Sequence, residues 1–310
     1  MQNLNGVKKR IKSVQGIGQM TNAMQLVSAA KKRRSLALRN SMYPFFAHCA
    51  GSMRDIRRKA EHVDNPFFEL DQKVEGSTWK IAYFVISGDQ GLAGGYHNNI
   101  VKAVEEHVRK KILENSRKGI STEYKLYVLG KLARERLTHL GYNVDQTFSF
   151  PITEPNFYQA RNLVSEIKQK FLTEGFDLVY IVYTHMETAL NMKTEVLRLA
   201  PVDLKSIDEI LTDYASDEAT NANEKVEYYP DINEVFGFFI DTYLNAMVYN
   251  AMTDAYACEQ TSRYTAMDNA TKSAEDMMKA LQLQCNRARQ SKITNELTEI
   301  INGANQVNNL

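Results

Sequence analysis

A chain of 310 residues that is 44% hydrophobic and 24% charged has ordinary globular composition, with room for one or two domains and no excess of disorder-promoting residues. Its net charge of +1 conceals a segregation, because residues 1–60 hold thirteen Lys and Arg against one acid, Asp55, for a net of +12, and the remainder carries −11. Three widely spaced cysteines (Cys49, Cys258, Cys285) match no metal pattern and argue against a disulfide framework, and no stretch offers the ~18 apolar residues of a membrane span or the apolar core of a signal peptide.

From Leu4 to about Lys59 the pattern is one long helix. Apolar side chains recur at Leu4, Val7, Ile11 and Val14, then at Ile17, Met20, Met24 and Val27, and again at Leu38, Met42, Phe45, Cys49, Met53 and Ile56. These spacings of three and four describe a seam with a phase slip between Val14 and Met20. Gly16, Gly18 and Pro44 weaken the helix locally, and a bend is expected near residues 40–44.

Asp64-Asn65-Pro66 and Gly76-Ser77 mark the exit from that helix. The period then changes. Strands are expected over Lys80–Ser87, Tyr124–Leu129, Tyr142–Phe150 and Phe176–Thr184, with helices over Asn98–Asn115, Lys131–Leu140 and Asn156–Thr173. Val196–Val202 offers an edge strand. Strands alternating with helices predict βαβ units and a mostly parallel sheet. Asp213–Glu227 is polar and without period. From Ile232 to Val307 there is no proline, and Gly303 is the one glycine after Gly237; a continuous helix of that length would reach roughly 110 Å and needs a partner along it. Its closing turns, Ile293, Leu297, Ile300, Ala304 and Val307, carry the heptad seam of a coiled coil.

The expected fold is therefore α/β: an antiparallel coiled coil of long N- and C-terminal helices with an inserted Rossmann-like α/β domain. Its parts are residues 1–60 and 232–310 for the helices, 77–205 for the insert and 206–231 for a linker.

Few stretches ask for chemistry. Ser87–Gly95 (SGDQGLAGG) lies between a strand and a helix, where backbone N–H groups can cradle phosphate. It lacks both the dinucleotide fingerprint and Gly-Lys-Ser/Thr, and Asp89 would repel an anion, so a tight turn with close backbone approach is the favoured reading. None of the six histidines pairs with Cys or Asp/Glu at ligand spacing; His185-Met186-Glu187 comes nearest, at a strand end. Lys31-Lys32-Arg33-Arg34 fits a solvated face, an acidic partner or nucleic acid, but no aromatic residue interleaves with it. A dinucleotide enzyme would leave both long helices unexplained, and a basic coiled-coil tether or nucleic-acid-binding protein would leave the sheet unexplained.

Gly16–Arg34 (GIGQMTNAMQLVSAAKKRR) resembles the N-terminal signature of the gamma subunits of rotary, proton-translocating F-type ATP synthases. Leu281–Gln306 resembles that family's C-terminal signature, and Ser87–Gly95 its internal turn. The resemblance spans essentially the whole chain. It implies a non-catalytic central shaft with no cofactor of its own, which couples rotation of a membrane c-ring to ATP synthesis or hydrolysis on beta subunits. The implied partners are the alpha and beta subunits, the epsilon subunit and the c-ring, with no nucleic acid and with membrane contact only through the ring. Residue by residue, Met24 and Arg263 match family positions facing beta, and Gln290, Thr294 and Glu296 match polar positions linked to rotational coupling. With no presequence, the resemblance implies a bacterial member at the cytoplasmic face of the plasma membrane.

Overall fold

The computed structural model describes residues 4–59, 66–67, 73–150, 152, 154–188, 191–202 and 232–308. The expected linker, with the polar stretch Asp213–Glu227, lies outside them. In chain order the elements are α1 (Leu4–Lys59), β1 (Thr78–Ile86), α2 (Tyr96–Ser116), β2 (Ser121–Leu129), α3 (Lys131–His139), α4 (Phe157–Glu174), β3 (Leu178–Met186), β4 (Met192–Ala200) and α5 (Ile232–Asn308). α1 runs through Pro44 without interruption. The chain divides into two compact units, one of residues 31–262 and one of residues 1–30 with 263–310.

The larger unit is built on a four-stranded sheet in the order β2-β1-β3-β4. β1 pairs in parallel with β2 and β3, and β4 closes the edge antiparallel to β3. From Ile81 to Ile86 β1 is an unbroken apolar run because both its faces are covered there. Ile81, Tyr83 and Val85 pack on α2 and α3, with Ile100, Val104, Ala133 and Leu137. Ala82, Phe84 and Ile86 pack on the other face, with Leu163 and Ile167 of α4, Phe46 and Ala50 of α1, and Leu244, Met247 and Ala251 of α5. Both long helices thus lend part of their length to one face of this sheet. α4 is set by its ends: the Asn156 side chain accepts from the Gln159 N–H at 2.9 Å, and Gly175 closes the helix in the left-handed region at φ 64°.

Residues 142–150 do not form the expected strand. Their alternating apolar residues do reach the core, as Val144 and Phe148 are buried, but the run touches the sheet at one bridge, Leu126 to Val144. Asp145 ends it. Its carboxylate accepts from the Thr147 N–H, the Thr147 hydroxyl and the Phe148 N–H at 2.8, 2.7 and 2.8 Å, which folds the chain back on itself and diverts those donors from the ladder. Lys125 Nζ lies 2.8 Å from Asp145 and 3.2 Å from Glu174. Burial raises the carboxyl's proton affinity, but Lys125 and the donors of Thr147 and Phe148 overrule it, and Asp145 stays well below the usual carboxylate range.

The smaller unit pairs the start of α1 with the later part of α5. A Cβ placed on Gly18 would lie 3.5 Å from Ala274 Cβ, Thr271 Oγ1 donates to Thr21 Oγ1 at 2.9 Å, and Gln25 Nε2 donates to Asp268 Oδ1 at 2.8 Å. Each step forward on one helix meets a step backward on the other, so the pair is antiparallel. The least exposed positions of α1 follow Leu4, Val7, Ile11, Val14, Gly18, Thr21, Gln25 and Ser28, a heptad without a slip. The expected phase slip through Ile17, Met20 and Val27 is therefore corrected: these three are all more than half exposed. The seam is apolar from Leu4 to Val14 and turns small and polar from Gly18 to Ser28, where the helices approach closely at Gly18 and Ala274.

Candidate functional site

Two places carry the residues that the sequence singles out. The first is the end of the sheet where β1 and β2 stop, the position at which open α/β sheets hold their ligands. Here Ser87 Oγ and His97 Nδ1 are 3.0 Å apart, and His97 Nε2 lies 3.0 Å from the Gln90 carbonyl. A carbonyl can only accept, so Nε2 carries a proton, and in the neutral ring Nδ1 accepts from Ser87. Asp89 Oδ1 accepts from the Lys131 N–H at 2.8 Å, so this acid caps α3. Gly88 and Gly130 meet backbone to backbone, as a Cβ on Gly130 would lie 2.7 Å from Gly88 N. On the other side of Gly88 stands the Glu259 carboxylate, whose oxygens would be 2.7 and 2.9 Å from a Cβ at that position. Glu259 is buried, and the space left beside it, lined by Ser87, Leu129, Pro155 and Met252, is a cavity of about 20 Å³. A side chain from α5 thus fills the crevice a ligand would take.

The second place is the far part of α5. In the observed register Leu4 falls opposite Ala288, the last half-buried position of the α5 seam. Beyond it α5 continues to Asn308, roughly 30 Å further. Ile293, Leu297 and Ile300 are 49–68% exposed, so the expected coiled-coil seam has no partner among the described residues of this chain. Ala304 and Val307 have side chains outside the described set, as do Met53 and Ile56 on α1.

The five residues matched by resemblance are not one cluster. Met24 is half-buried beside the Gln25 to Asp268 contact, and Arg263 is buried. Gln290, Thr294 and Glu296 are all exposed on the unpaired reach of α5. Thr294 Oγ1 donates to the Gln290 carbonyl at 3.0 Å, and Glu296 lies 3.5 Å from Lys292 one turn away. Their contacts are intrahelical. Each polar head is free to meet something else.

Sequence reasoning passed over one cluster. His185, expected as a surface or core-edge histidine at a strand end, has Nδ1 2.5 Å from Asp254 Oδ2, and Arg39 Nε donates to Asp254 Oδ1 at 2.8 Å. Three distant stretches meet there, and no local spacing could signal it.

Known proteins give the frame for these features. A family model described as ATP synthase matches residues 3–307. The ATP synthase gamma chain of Acetivibrio thermocellus is 37% identical over 98% of this chain and 99% of its own length. The sodium ion specific ATP synthase gamma chain of Acetobacterium woodii is 32% identical, over 99% of each. Among solved structures, a chain of the Euglena gracilis mitochondrial ATP synthase OSCP/F1/c-ring assembly aligns with a TM-score of 0.64 at 17% identity, over 98% of this chain and 94% of its own. A chain of the Tetrahymena thermophila central stalk and c-ring structure aligns at 0.56 and 20% identity, over 81% and 99%. With the fold shared and the sequence matched almost end to end, the chain belongs to the gamma-chain family of ATP synthases.

Proposed function

We propose that the protein is the rotor shaft of an ATP synthase and couples rotation of a membrane ring to nucleotide turnover on neighbouring subunits. The observation that carries this reading is the unpaired reach of α5 with its exposed Ile293, Leu297 and Ile300. On the paired part, Ile17, Met20, Leu26 and Val27 also face outward from α1. Large apolar residues left in water on two helices imply a surrounding surface. A ring of alpha and beta subunits supplies one, and apolar contact is non-directional, so a shaft can turn within it. The basic run Lys31–Arg34 would meet acidic groups of beta, an attraction that fades beyond about 10 Å at ordinary salt. The sheet unit would sit with epsilon on the c-ring at the cytoplasmic face of a bacterial plasma membrane. The chain itself would do no catalysis, and no described helix is long and apolar enough to cross a membrane. On this reading residues 1–60 and 232–310 are the shaft, 77–205 the insert and 206–231 the linker between them. A nucleic-acid tether leaves the filled sheet crevice without a purpose.

The test is assembly and turnover. The tagged chain is expected to co-purify with alpha and beta subunits and to be required for their steady ATP hydrolysis. Purification alone, with hydrolysis unchanged by its addition, would overturn the reading.

Within that assembly Met24, Arg263, Gln290, Thr294 and Glu296 are the proposed contacts with beta. Gln290→Ala and Thr294→Ala should slow hydrolysis while moving stability by no more than about 0.5 kcal/mol, the usual size for an exposed helix position. Steady-state rates and melting curves on the same preparations check both halves. A slowed enzyme with a matching loss of stability would assign these residues to the helix alone.

A further inference from the structure

The larger unit holds a buried charge cluster that joins three elements. Asp254 on α5 has a side chain only 1% exposed. Its Oδ1 accepts from Arg39 Nε of α1 at 2.8 Å and, more distantly, from the Met186 N–H at 3.4 Å. Its Oδ2 takes the Nδ1 proton of His185, at the end of β3. Arg39 also donates through Nη2 to the Met186 carbonyl at 2.8 Å. One carboxylate and one guanidinium therefore tie both long helices to the same two residues of the sheet.

Apolar packing covers this face broadly, but it is non-directional and resists sliding weakly. Hydrogen bonds to charged groups are short and angular, so they fix rotation as well as distance. We propose that Asp254, with Arg39 and His185, is the set of positioning residues by which the sheet grips the two helices, so that torque entering at the sheet turns them without slip. The proposal rests on the rotor reading above.

The charged groups that act on His185 are Asp254 on α5, Arg39 on α1 and Glu195 on β4, with Lys193 of β4 paired directly opposite it; Cys258 on α5 and Tyr96 of α2 stand near Asp254, and Glu187 after β3 near Glu195. The Asp254 hydrogen bond holds the His185 pKa above its ordinary 6.5, against burial. A raised folded pKa means that the ion pair contributes fully below 6.5 and is lost as pH rises through the folded value.

The experiment uses the complete complex in membrane vesicles, with ATP-driven ion pumping and ATP hydrolysis measured together. Asp254→Asn is expected to lower ions pumped per ATP several-fold, while hydrolysis by the detached alpha, beta and gamma assembly stays near normal. His185→Gln should give a smaller loss, and it should abolish the fall in pumping ratio expected of the unaltered complex as pH rises through the raised His185 pKa. An unchanged ratio in Asp254→Asn overturns the proposal, as does an equal loss of hydrolysis in the detached assembly, which would make the cluster merely structural. If Asp254→Asn does not accumulate, His185→Gln decides alone: an unaltered pH profile of the ratio overturns the proposal. The unaltered complex separates the two readings, since hydrolysis that ignores this chain would remove the rotor function and the proposal with it.

Discussion

Gly130→Ala is expected to destabilise the protein by about 3–5 kcal/mol, from a strained backbone and an overlap that cannot relax. Gly130 has φ 92° and ψ 137°, a region that side-chain-bearing residues hardly enter. The methyl would also lie 2.7 Å from Gly88 N and 2.9 Å from Gly88 C and Ser87 C. These are backbone atoms at the end of β1, hydrogen-bonded across to β2 through the Ser87 N–H and the Leu129 carbonyl at 3.0 Å. Moving them would loosen the pairing of β1 with β2 where both strands end. Gly141 provides the control: it has φ 80° with open space around its Cβ position, so Gly141→Ala should cost only the backbone term, about 1–2 kcal/mol. Denaturant midpoints for the two variants separate the effects. Equal losses would show that strain alone, and not the meeting of the two strand ends, sets the cost.

Asp145→Ala should cost about 3 kcal/mol, since it deletes charge-assisted hydrogen bonds to Lys125, Thr147 and Phe148 and leaves the amide of the buried Phe148 without an acceptor. The loss should be local first, with faster amide exchange at Thr147 and Phe148 than in β1. pH gives a second handle. A carboxyl held below its ordinary 3.8 contributes stability that is complete above that value and is lost as pH falls through the depressed one. The parent protein should therefore lose stability more steeply than Asp145→Ala on acidification below about pH 4. Parallel acid titrations of the two would refute this account of the turn.

How much of this was readable beforehand follows from which forces are local. β1 and β3 announce themselves because a central strand buried on both faces is apolar along most of its length, the edge strand β2 by its closing apolar run Leu126–Leu129, and α4 because its buried residues recur at three and four between an Asn cap and a glycine. Residues 142–150 mislead because their apolar alternation is real while Asp145 spends the backbone donors elsewhere. The α1 seam misleads for a different reason. Size and hydrophobicity point to Ile17 and Met20 as buried, whereas the heptad carried on from Leu4 to Val14 reaches Gly18 and Thr21 and leaves Ile17 and Met20 facing outward. On α5 the heptad from Ile293 is legible as a stripe, but a stripe does not say which molecule covers it. The Asp254 cluster and the Glu259 plug join residues far apart in sequence, and only the folded chain brings them together.

A ligand seated at the end of a sheet comes and goes with its concentration, and a protein that depends on it can be emptied by dilution or by a competitor. Here the occupant is covalently continuous with the sheet, so its local concentration is fixed by the chain and does not fall with dilution. What in a binding protein would be a separate molecule is here a side chain of the same polypeptide, Glu259, and the crevice joins α5 to the end of the sheet.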